Sequence, residues 1–296
     1  MPASAPDRLR AMLAEDRLLS MPACFDALSA KLIEQEGFDI TFMSGFAVSA
    51  TRLASPDTGL MSYGEVVEQA LSICAAVDIP VIGDGDTGYG NALNVRRTVD
   101  GFARAGCAAV MIEDQLAPKR CGHTPGKEVV SREEAFDRVR AAIDQRNEGQ
   151  DILILARTDA RQTYGLSEAI ARAAKFRELG ADILFVEAPK SVEEMRTICS
   201  EVPGIHMANM VEGGETPDLP DDEIYDIGYR IAVYPLSLLS ASMKAMTDML
   251  AALRGKDHAA RNGALMDFTE LRRRTGFDRY YEQADRYASA RRNQDG

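Results

Sequence analysis

Short apolar runs alternate with longer amphipathic segments along the first 235 residues of the chain. A short continuous apolar run is typical of a strand that is buried on both faces. Eight such strands are predicted: Leu18–Ala23, Ile40–Ser44, Pro80–Asp84, Ala108–Glu113, Ile152–Ala156, Ile183–Glu187, His206–Ala208 and Arg230–Val233.

The segments between these runs repeat their apolar positions every three to four residues, which predicts helices. Glycine, the residue expected just beyond the last turn of a helix, follows three of them at Gly37, Gly106 and Gly180. The predicted helices include Ala27–Glu36, Tyr63–Val77, Val95–Ala105, Arg132–Arg146, Leu166–Leu179 and Val192–Glu201.

Regular alternation of strands and helices indicates parallel strands joined by helical crossovers. Eight strands in about 230 residues favour a closed (β/α)8 barrel of the TIM type over an open doubly wound sheet. The open-sheet alternative also lacks the Gly-x-Gly-x-x-Gly phosphate loop after its first strand. After residue 235 only helices are predicted, and Leu236–Leu253 is long enough to close the barrel. We therefore expect one domain over residues 1–296, with about 255–296 as a C-terminal helical extension.

Composition and charge narrow the class of protein. Apolar residues make up 46% of the chain, enough for a packed core, and no run approaches the roughly 18 apolar residues of a membrane span. A net charge of −12 opposes unassisted binding to nucleic acid or to an anionic membrane. The five cysteines are scattered, and the N-terminus lacks the apolar core of a signal peptide. We expect a cytoplasmic protein with no nucleic-acid or membrane partner.

Polar residues collect at the predicted carboxyl ends of the strands, where the active site of a (β/α)8 barrel lies. A single carboxylate at such an end is most often a helix N-cap. Carboxylates on successive strands instead point several negative charges into one cavity, which requires a cation. The residues at these ends are Ser44, Gly45, Asp84, Asp86, Glu113, Asp114, Arg157, Glu187 and Asn209.

Asp84, Asp86 and Glu113 are hard oxygen ligands of the kind that suits Mg²⁺ or Mn²⁺, with water completing the coordination. Zinc is not indicated, because the three histidines lie far apart in sequence. Of these, we expect His206 to be structural and His258 to lie at the surface.

Residues 119–123 read Lys-Arg-Cys-Gly-His. Neighbouring positive charge stabilises a thiolate, and Gly122 and Gly126 allow the segment to move as a lid would. The alternative is a solvated basic loop with an incidental Cys121. The polar residues at the strand ends favour the reactive cysteine.

These motifs together resemble the isocitrate lyase/phosphoenolpyruvate mutase superfamily. The chain is most similar to the group that contains 2,3-dimethylmalate lyase, the petal death protein and carboxyphosphoenolpyruvate phosphonomutase. The resemblance covers roughly residues 20–240. Its motifs are residues 55–57, 84–90, 112–115, 119–123, 156–160, 185–188, 208–217 and 234–237.

The resemblance implies Mg²⁺-dependent cleavage of a C–C bond in a small 2-hydroxy dicarboxylate, with Mn²⁺ as a substitute. It also implies a homotetramer, a dimer of dimers in which a late helix swaps between subunits. In such an enzyme Cys121 donates a proton, assisted by Lys119, His123 and Arg157. The implied metal residues are Asp84 and Asp86, with Asp57 and Glu113 around them. The implied substrate-binding residues are Ser44, Gly45, Phe46, Gly122, Arg157, Glu187 and Asn209.

Three other readings stay open: carboxyphosphoenolpyruvate-type C–P chemistry, a 2-methylisocitrate lyase, and a non-enzymatic binding protein. Relatives that cleave oxaloacetate typically have serine where this chain has Pro235. Methylisocitrate lyases have two arginines for the third carboxylate, where alignment places Ser240 and Phe268. Arg272–Arg274 could replace one of them if the register is shifted.

Overall fold

The computed structural model describes residues 3–120 and 126–292, with side chains described as far as residue 288. The chain divides into two compact units, Met1–Leu239 and Ser240–Gly296. The strands all lie in the first unit: β1 (Leu19–Cys24), β2 (Thr41–Met43), β3 (Val81–Asp84), β4 (Ala109–Glu113), β5 (Leu153–Thr158), β6 (Ile183–Val186), β7 (Met207–Asn209) and β8 (Ile231–Tyr234).

Helices precede, separate and follow these strands. They are α1 (Ala5–Leu13), α2 (Ala27–Gln35), α3 (Gly45–Leu53), α4 (Tyr63–Cys74), α5 (Ala92–Ala105), α6 (Arg132–Asn147), α7 (Ala160–Tyr164), α8 (Leu166–Leu179), α9 (Val192–Glu201), α10 (Asp221–Ile227), α11 (Ser237–Gly255), α12 (His258–Gly263), α13 (Phe268–Arg274) and α14 (Phe277–Arg292).

The eight strands are parallel and pair in the order β6-β5-β4-β3-β2-β1-β8-β7. A parallel bridge between Leu184 and His206 joins the two ends of this order, so the sheet closes into a nearly complete barrel. The predicted (β/α)8 fold is therefore confirmed.

The period of two along each strand decides which side chains enter the barrel. In β4, Ala109 and Met111 belong to the interior cluster, whereas Val110 and Ile112 belong to the layer between strands and helices. Glu113 continues the interior set at the carboxyl end of the strand. The same alternation places several polar residues at the top of the barrel: Ser44, Asp84, Glu113, Arg157, Glu187 and Asn209.

The predicted helices match the structure closely, and two of them, α8 and α9, have the predicted bounds. Helix α5 begins three residues earlier than the predicted Val95, because the Asn91 side chain accepts hydrogen bonds from the backbone of Leu93 and Asn94. The predicted strand ending at Ser44 is shorter, since Ser44 is the N-cap of α3. Periodicity did not indicate the short helices α3, α7 and α10.

Both histidine predictions within the described residues are confirmed. The ring of His206 is buried, its Nε2 lies 2.5 Å from the carbonyl oxygen of Val202, and burial lowers its pKa. His258 is exposed at the start of α12. His206 therefore lies in the core next to the bridge that closes the barrel.

Residues 240–296 form the second unit, which contains most of α11 and the helices α12–α14. On α11, Met243, Met246, Leu250 and Leu253 follow one another at spacings of three, four and three residues. Each of these side chains is at least half exposed. Such spacing forms one apolar stripe along a helix. No helix among the described residues is both long and apolar enough to cross a membrane.

Candidate active site

A cavity of about 100 Å³ lies at the carboxyl ends of the strands. One part of its wall is charged and the other is apolar. The charged part includes Asp57, Asp84, Glu113, Lys119, Arg120 and Arg157. The apolar part includes Phe42, Phe46, Met111, Phe185, Met207, Val211, Val233, Pro235 and Leu236.

The start of α3 meets the end of β3 at the charged wall. The backbone N–H of Gly45 donates to Asp84 Oδ2 at 3.2 Å, and the N–H of Asp86 donates to Asp84 Oδ1 at 3.0 Å. A Cβ atom at position 45 would lie 2.5 Å from Asp84 Oδ2, so only glycine permits this approach. Asp84 is thereby held rigidly with its carboxylate at the amino end of a helix, a favourable place for negative charge.

Lys119 reaches into the carboxylates from the loop after β4. Its Nζ lies 2.9 Å from Asp57 Oδ2 and also contacts Asp86 Oδ1. Burial alone would lower the pKa of Lys119, but Asp86, Asp84 and Asp57 raise it well above its usual value. Lys119 is therefore a buried ammonium ion among carboxylates.

Asp86 lies in a left-handed backbone conformation, with φ of 52°, directly after β3. Burial raises the pKa of Asp86 to about 6; Lys119 opposes this rise, while Asp84 and Asp57 add to it. The hydroxyl of Tyr89 donates to Asp86 Oδ2 at 3.3 Å. The ammonium of Lys119 thus gives one positive charge to the three carboxylates of Asp57, Asp84 and Asp86.

Glu113 ends β4 and is almost completely buried. Its Oε2 lies 3.3 Å from Arg157 Nε, while its Oε1 is buried with no hydrogen-bond partner among the described residues. Burial raises the pKa of Glu113 well above its usual range, against the opposing effect of Arg157. Glu113 therefore offers an unsatisfied oxygen beside the cavity.

Arg157 ends the interior side of β5 and is surrounded by carboxylates. Its Nε and Nη2 donate to Asp159 at 2.8 and 3.0 Å, and Nη2 also lies 3.2 Å from Glu187 Oε2. The guanidinium lies over the ring of Phe185, with Cζ 5.2 Å from its centroid. Asn209 Nδ2 donates to both oxygens of Glu187. The arginine is oriented by this network and lines the cavity.

The loop before Cys121 is anchored to the barrel by Gln115. Its side-chain amide accepts from the backbone N–H of Arg120 at 2.9 Å and donates to the Arg120 carbonyl at 3.0 Å. Gln115 itself is buried, and its backbone carbonyl oxygen accepts a hydrogen bond from Arg138. The predicted site residues Cys121, Gly122 and His123 lie outside the described residues.

The residues at the charged wall suit a divalent cation in their chemistry. No group of three or more His, Cys, Asp or Glu side chains in the described ranges is arranged to hold a metal ion. The donors are nevertheless carboxylate oxygens, and Glu113 Oε1 has no hydrogen-bond partner among the described residues. Mg²⁺ usually keeps several waters and needs only one or two carboxylates. Asp84 and Asp86 fit this requirement, with Asp57 and Glu113 beside them.

Three buried residues next to the site had no predicted role: Gln115, Lys127 and Asp159. Lys127 Nζ lies 2.6 Å from Asp159 Oδ1, and both side chains are completely buried. Burial opposes ionisation of Asp159, but Arg157 and Lys127 hold its pKa below the usual range. A signal for Asp159 was available, since it lies two residues beyond Arg157 in the motif at 156–160.

The barrel and its cavity define a (β/α)8 protein with a charged site at the carboxyl ends of its strands. The sequence profile of phosphoenolpyruvate phosphomutase matches residues 9–254, and the chain belongs to this family. It is 42% identical to 2,3-dimethylmalate lyase of Eubacterium barkeri, covering 96% of this chain and 98% of that protein. It is 40% identical to the chloroplastic carboxyvinyl-carboxyphosphonate phosphorylmutase of Arabidopsis thaliana, covering 96% and 85%.

Solved structures show the same fold. A crystal structure of 2,3-dimethylmalate lyase superposes with a TM-score of 0.90 at 34% identity, covering 97% of this chain and 96% of that one. Oxaloacetate acetylhydrolase with 3,3-difluorooxalacetate gives 0.90 at 32% identity, covering 96% and 97%. Phosphonopyruvate hydrolase with oxalate and Mg²⁺ gives 0.85 at 30% identity, covering 97% and 100%. Relatives of this chain thus include C–C lyases, and one relative is crystallised with a divalent metal.

Proposed function

We propose that this protein is a Mg²⁺-dependent lyase that cleaves a 2,3-dimethylmalate-like 2-hydroxy dicarboxylate into a 2-oxo acid, such as pyruvate, and a carboxylic acid. The observation that carries the proposal is the position of Arg157 beside Asp84 and Glu113 in one small cavity. Such a cavity offers a guanidinium for a carboxylate and oxygen donors for a cation. Its similarity to 2,3-dimethylmalate lyase over nearly the whole chain supports the same reaction.

The reaction is a retro-aldol cleavage. A base removes the proton of the 2-hydroxyl group, the C2–C3 bond breaks, and its electron pair forms the enolate of the departing carboxylic acid. Bound Mg²⁺ supplies a Lewis acid at the 2-oxo acid end. The backbone at Ser44, Gly45 and Phe46 positions that end at the start of α3, where a helix favours an anion.

The enolate dianion then needs charge compensation and a proton. Arg157 forms a bidentate pair with a carboxylate, since its guanidinium is planar and permanently charged. Lys119 and His123 offset the remaining charge, and the thiol of Cys121 protonates the enolate carbon. Glu187 and Asn209 keep Arg157 directed at the substrate, and Gly122 belongs to the proposed substrate-binding residues.

The apolar wall favours alkyl substituents on the substrate. Phe185, Val211, Val233 and Leu236 line the cavity together with Pro235. A methyl group placed there gains by leaving water, whereas a further charged group would lose its hydration. The cavity composition thus supports a 3-substituted malate over a more highly charged substrate.

A phosphonomutase is the second candidate, because the chain is 40% identical to a carboxyvinyl-carboxyphosphonate phosphorylmutase. The Lys-Arg-Cys-Gly-His loop argues against ordinary phosphoenolpyruvate mutases, which lack it, but it does not exclude the carboxyphosphoenolpyruvate enzyme. A 2-methylisocitrate lyase is the third candidate, supported by 40% identity to the enzyme of Aeropyrum pernix.

A substrate screen tests these candidates directly. Malate derivatives, phosphonopyruvate and oxaloacetate are incubated with enzyme and Mg²⁺; release of 2-oxo acid or oxalate is measured, and conversion of phosphonopyruvate is followed by ³¹P NMR. We expect turnover of 2,3-dialkylmalates and little hydrolysis of oxaloacetate, since Pro235 has no hydroxyl to orient that substrate. Exclusive turnover of the phosphonate would replace the lyase assignment with the phosphonomutase.

Metal dependence gives a separate prediction. Exhaustive chelation is expected to abolish turnover, and added Mg²⁺ or Mn²⁺ to restore it, because the charged wall offers carboxylate oxygens of the kind that Mg²⁺ binds. The double variant Asp84→Ala, Asp86→Ala should behave like chelated enzyme even at saturating Mg²⁺. The measurement is initial rate against free metal concentration. Full activity of the chelated wild type would contradict this requirement.

The proposal includes self-association into a homotetramer, a dimer of dimers. Its support is the family resemblance together with the exposed apolar stripe of Met243, Met246, Leu250 and Leu253, which suits a second copy of the same helix. Light scattering is expected to give four times the chain mass, and Met246→Glu with Leu250→Glu to lower it. A monomeric wild type would contradict this assembly.

We propose the cytoplasm as the location of this protein. The free thiols of Cys24, Cys74, Cys107 and Cys199 are typical of a reducing compartment.

A further inference from the structure

Lys127 is a completely buried lysine that the proposed reaction does not use. Its Nζ lies 2.6 Å from Asp159 Oδ1, and neither side chain is exposed. A buried ion pair loses the hydration of both charges, so it adds little net stability compared with apolar residues. A buried ion pair more often serves to hold the neighbouring groups in one arrangement. For Lys127 these groups are reached through its partner, Asp159.

Asp159 connects Lys127 to Arg157. Its Oδ1 accepts from Lys127 and also from Arg157 Nη2 at 3.0 Å, while its Oδ2 accepts from Arg157 Nε at 2.8 Å. Asp114 holds the other side of the residue, because its Oδ1 accepts the backbone N–H of Asp159 at 2.8 Å. Asp114 thus holds the backbone of Asp159, and Lys127 holds its carboxylate.

Arg157 has competing partners and therefore needs such an anchor. Glu113 and Glu187 each lie within 3.3 Å of its guanidinium, in addition to Asp159. Which of these carboxylates orients the group depends on how firmly each is held. Asp159 is the one that makes two hydrogen bonds to Arg157, and its Oδ1 is pinned by the Lys127 ammonium.

We propose that Lys127 is a positioning residue, which holds the Asp159 carboxylate in the orientation that presents Arg157 to the substrate. The inference rests on the proposed function, in which Arg157 binds a substrate carboxylate. Without Lys127, the Asp159 carboxylate keeps its two hydrogen bonds from Arg157, but its Oδ1 loses the ammonium that holds it from the other side. The guanidinium of Arg157 then moves with the Asp159 carboxylate and is no longer directed at the substrate.

The test compares Lys127→Met with the double variant Lys127→Met, Asp159→Asn in the full-length protein. Three quantities are measured: the Tm, kcat for 2,3-dimethylmalate, and the affinity for oxalate in the presence of Mg²⁺. The single variant is expected to lose Tm, oxalate affinity and about 100-fold in kcat, the cost of a misplaced binding group. In the double variant the buried carboxylate that lost its ammonium is replaced by a neutral amide, so the Tm recovers, while kcat and oxalate affinity stay low.

A matched control is Lys175→Met, since Lys175 pairs with Glu178 on the surface of α8. This control should leave all three quantities unchanged. The inference is overturned if Lys127→Met keeps the kcat and oxalate affinity of the wild type. It is equally overturned if kcat recovers together with the Tm in the double variant, because Lys127 would then serve folding alone. A wild type that binds oxalate but cleaves no malate would refute the lyase, and oxalate affinity would still decide the role of Lys127.

Discussion

Replacing Cys121 by serine is expected to lower kcat by about 100- to 10,000-fold, the range that a general acid contributes. The hydroxyl of serine is a far weaker acid than a thiol, so it cannot protonate the enolate carbon at a comparable rate. Cys121 directly follows Arg120, whose backbone is held on both sides by Gln115. Because this anchor and the rest of the barrel are untouched, the variant should keep its fold and its metal-dependent binding of oxalate.

The matched control is Cys199→Ser, a half-buried thiol near the end of α9 that does not line the cavity. Both variants are assayed for kcat at saturating Mg²⁺, with circular dichroism and oxalate titration as checks on fold and binding. The control should retain wild-type kcat. Near-normal turnover by Cys121→Ser would remove this thiol from the mechanism and return residues 119–123 to the alternative of a solvated basic loop.

A preference of at least about a thousandfold in kcat/KM is expected for 2,3-dimethylmalate over the tricarboxylate 2-methylisocitrate. A buried carboxylate without a cationic partner costs several kcal/mol, and each 1.4 kcal/mol is a factor of ten. The alignment places Ser240 and Phe268 where methylisocitrate lyases have arginines. Within the cavity, Lys119 already contacts Asp57, and the proposed mechanism assigns Arg157 to a carboxylate that both substrates have.

The two substrates are compared under identical Mg²⁺ and pH, with release of 2-oxo acid as the common readout. Malate without alkyl groups serves as a control for the apolar wall, and it should be cleaved more slowly than the dimethyl compound. A clear preference for 2-methylisocitrate would show that another arginine, such as one of Arg272–Arg274, receives the third carboxylate. The chain would then be reassigned to the methylisocitrate lyases.

Local pattern was sufficient to predict the barrel and much of its site. Buried strands and amphipathic helices differ in period, so their order could be read directly from the sequence. Once parallel strands were expected, the residues at their carboxyl ends had to meet at one end of the barrel. Asp84, Glu113 and Arg157 follow from this rule, and the structure places all three around the same cavity.

The sequence by itself determined the fold class, the family and the strand-end residues, because these depend on periodicity, on adjacent residues and on motifs. Only the tertiary structure decided the pairings: Lys119 with Asp57, 62 residues away, and Lys127 with Asp159, 32 residues away. Side-chain partners that distant are chosen by the closing of the barrel and by loop geometry, which leave no periodic trace in the sequence. The burial that gives each of these pairs its electrostatic strength also arises only when the whole core is packed around it.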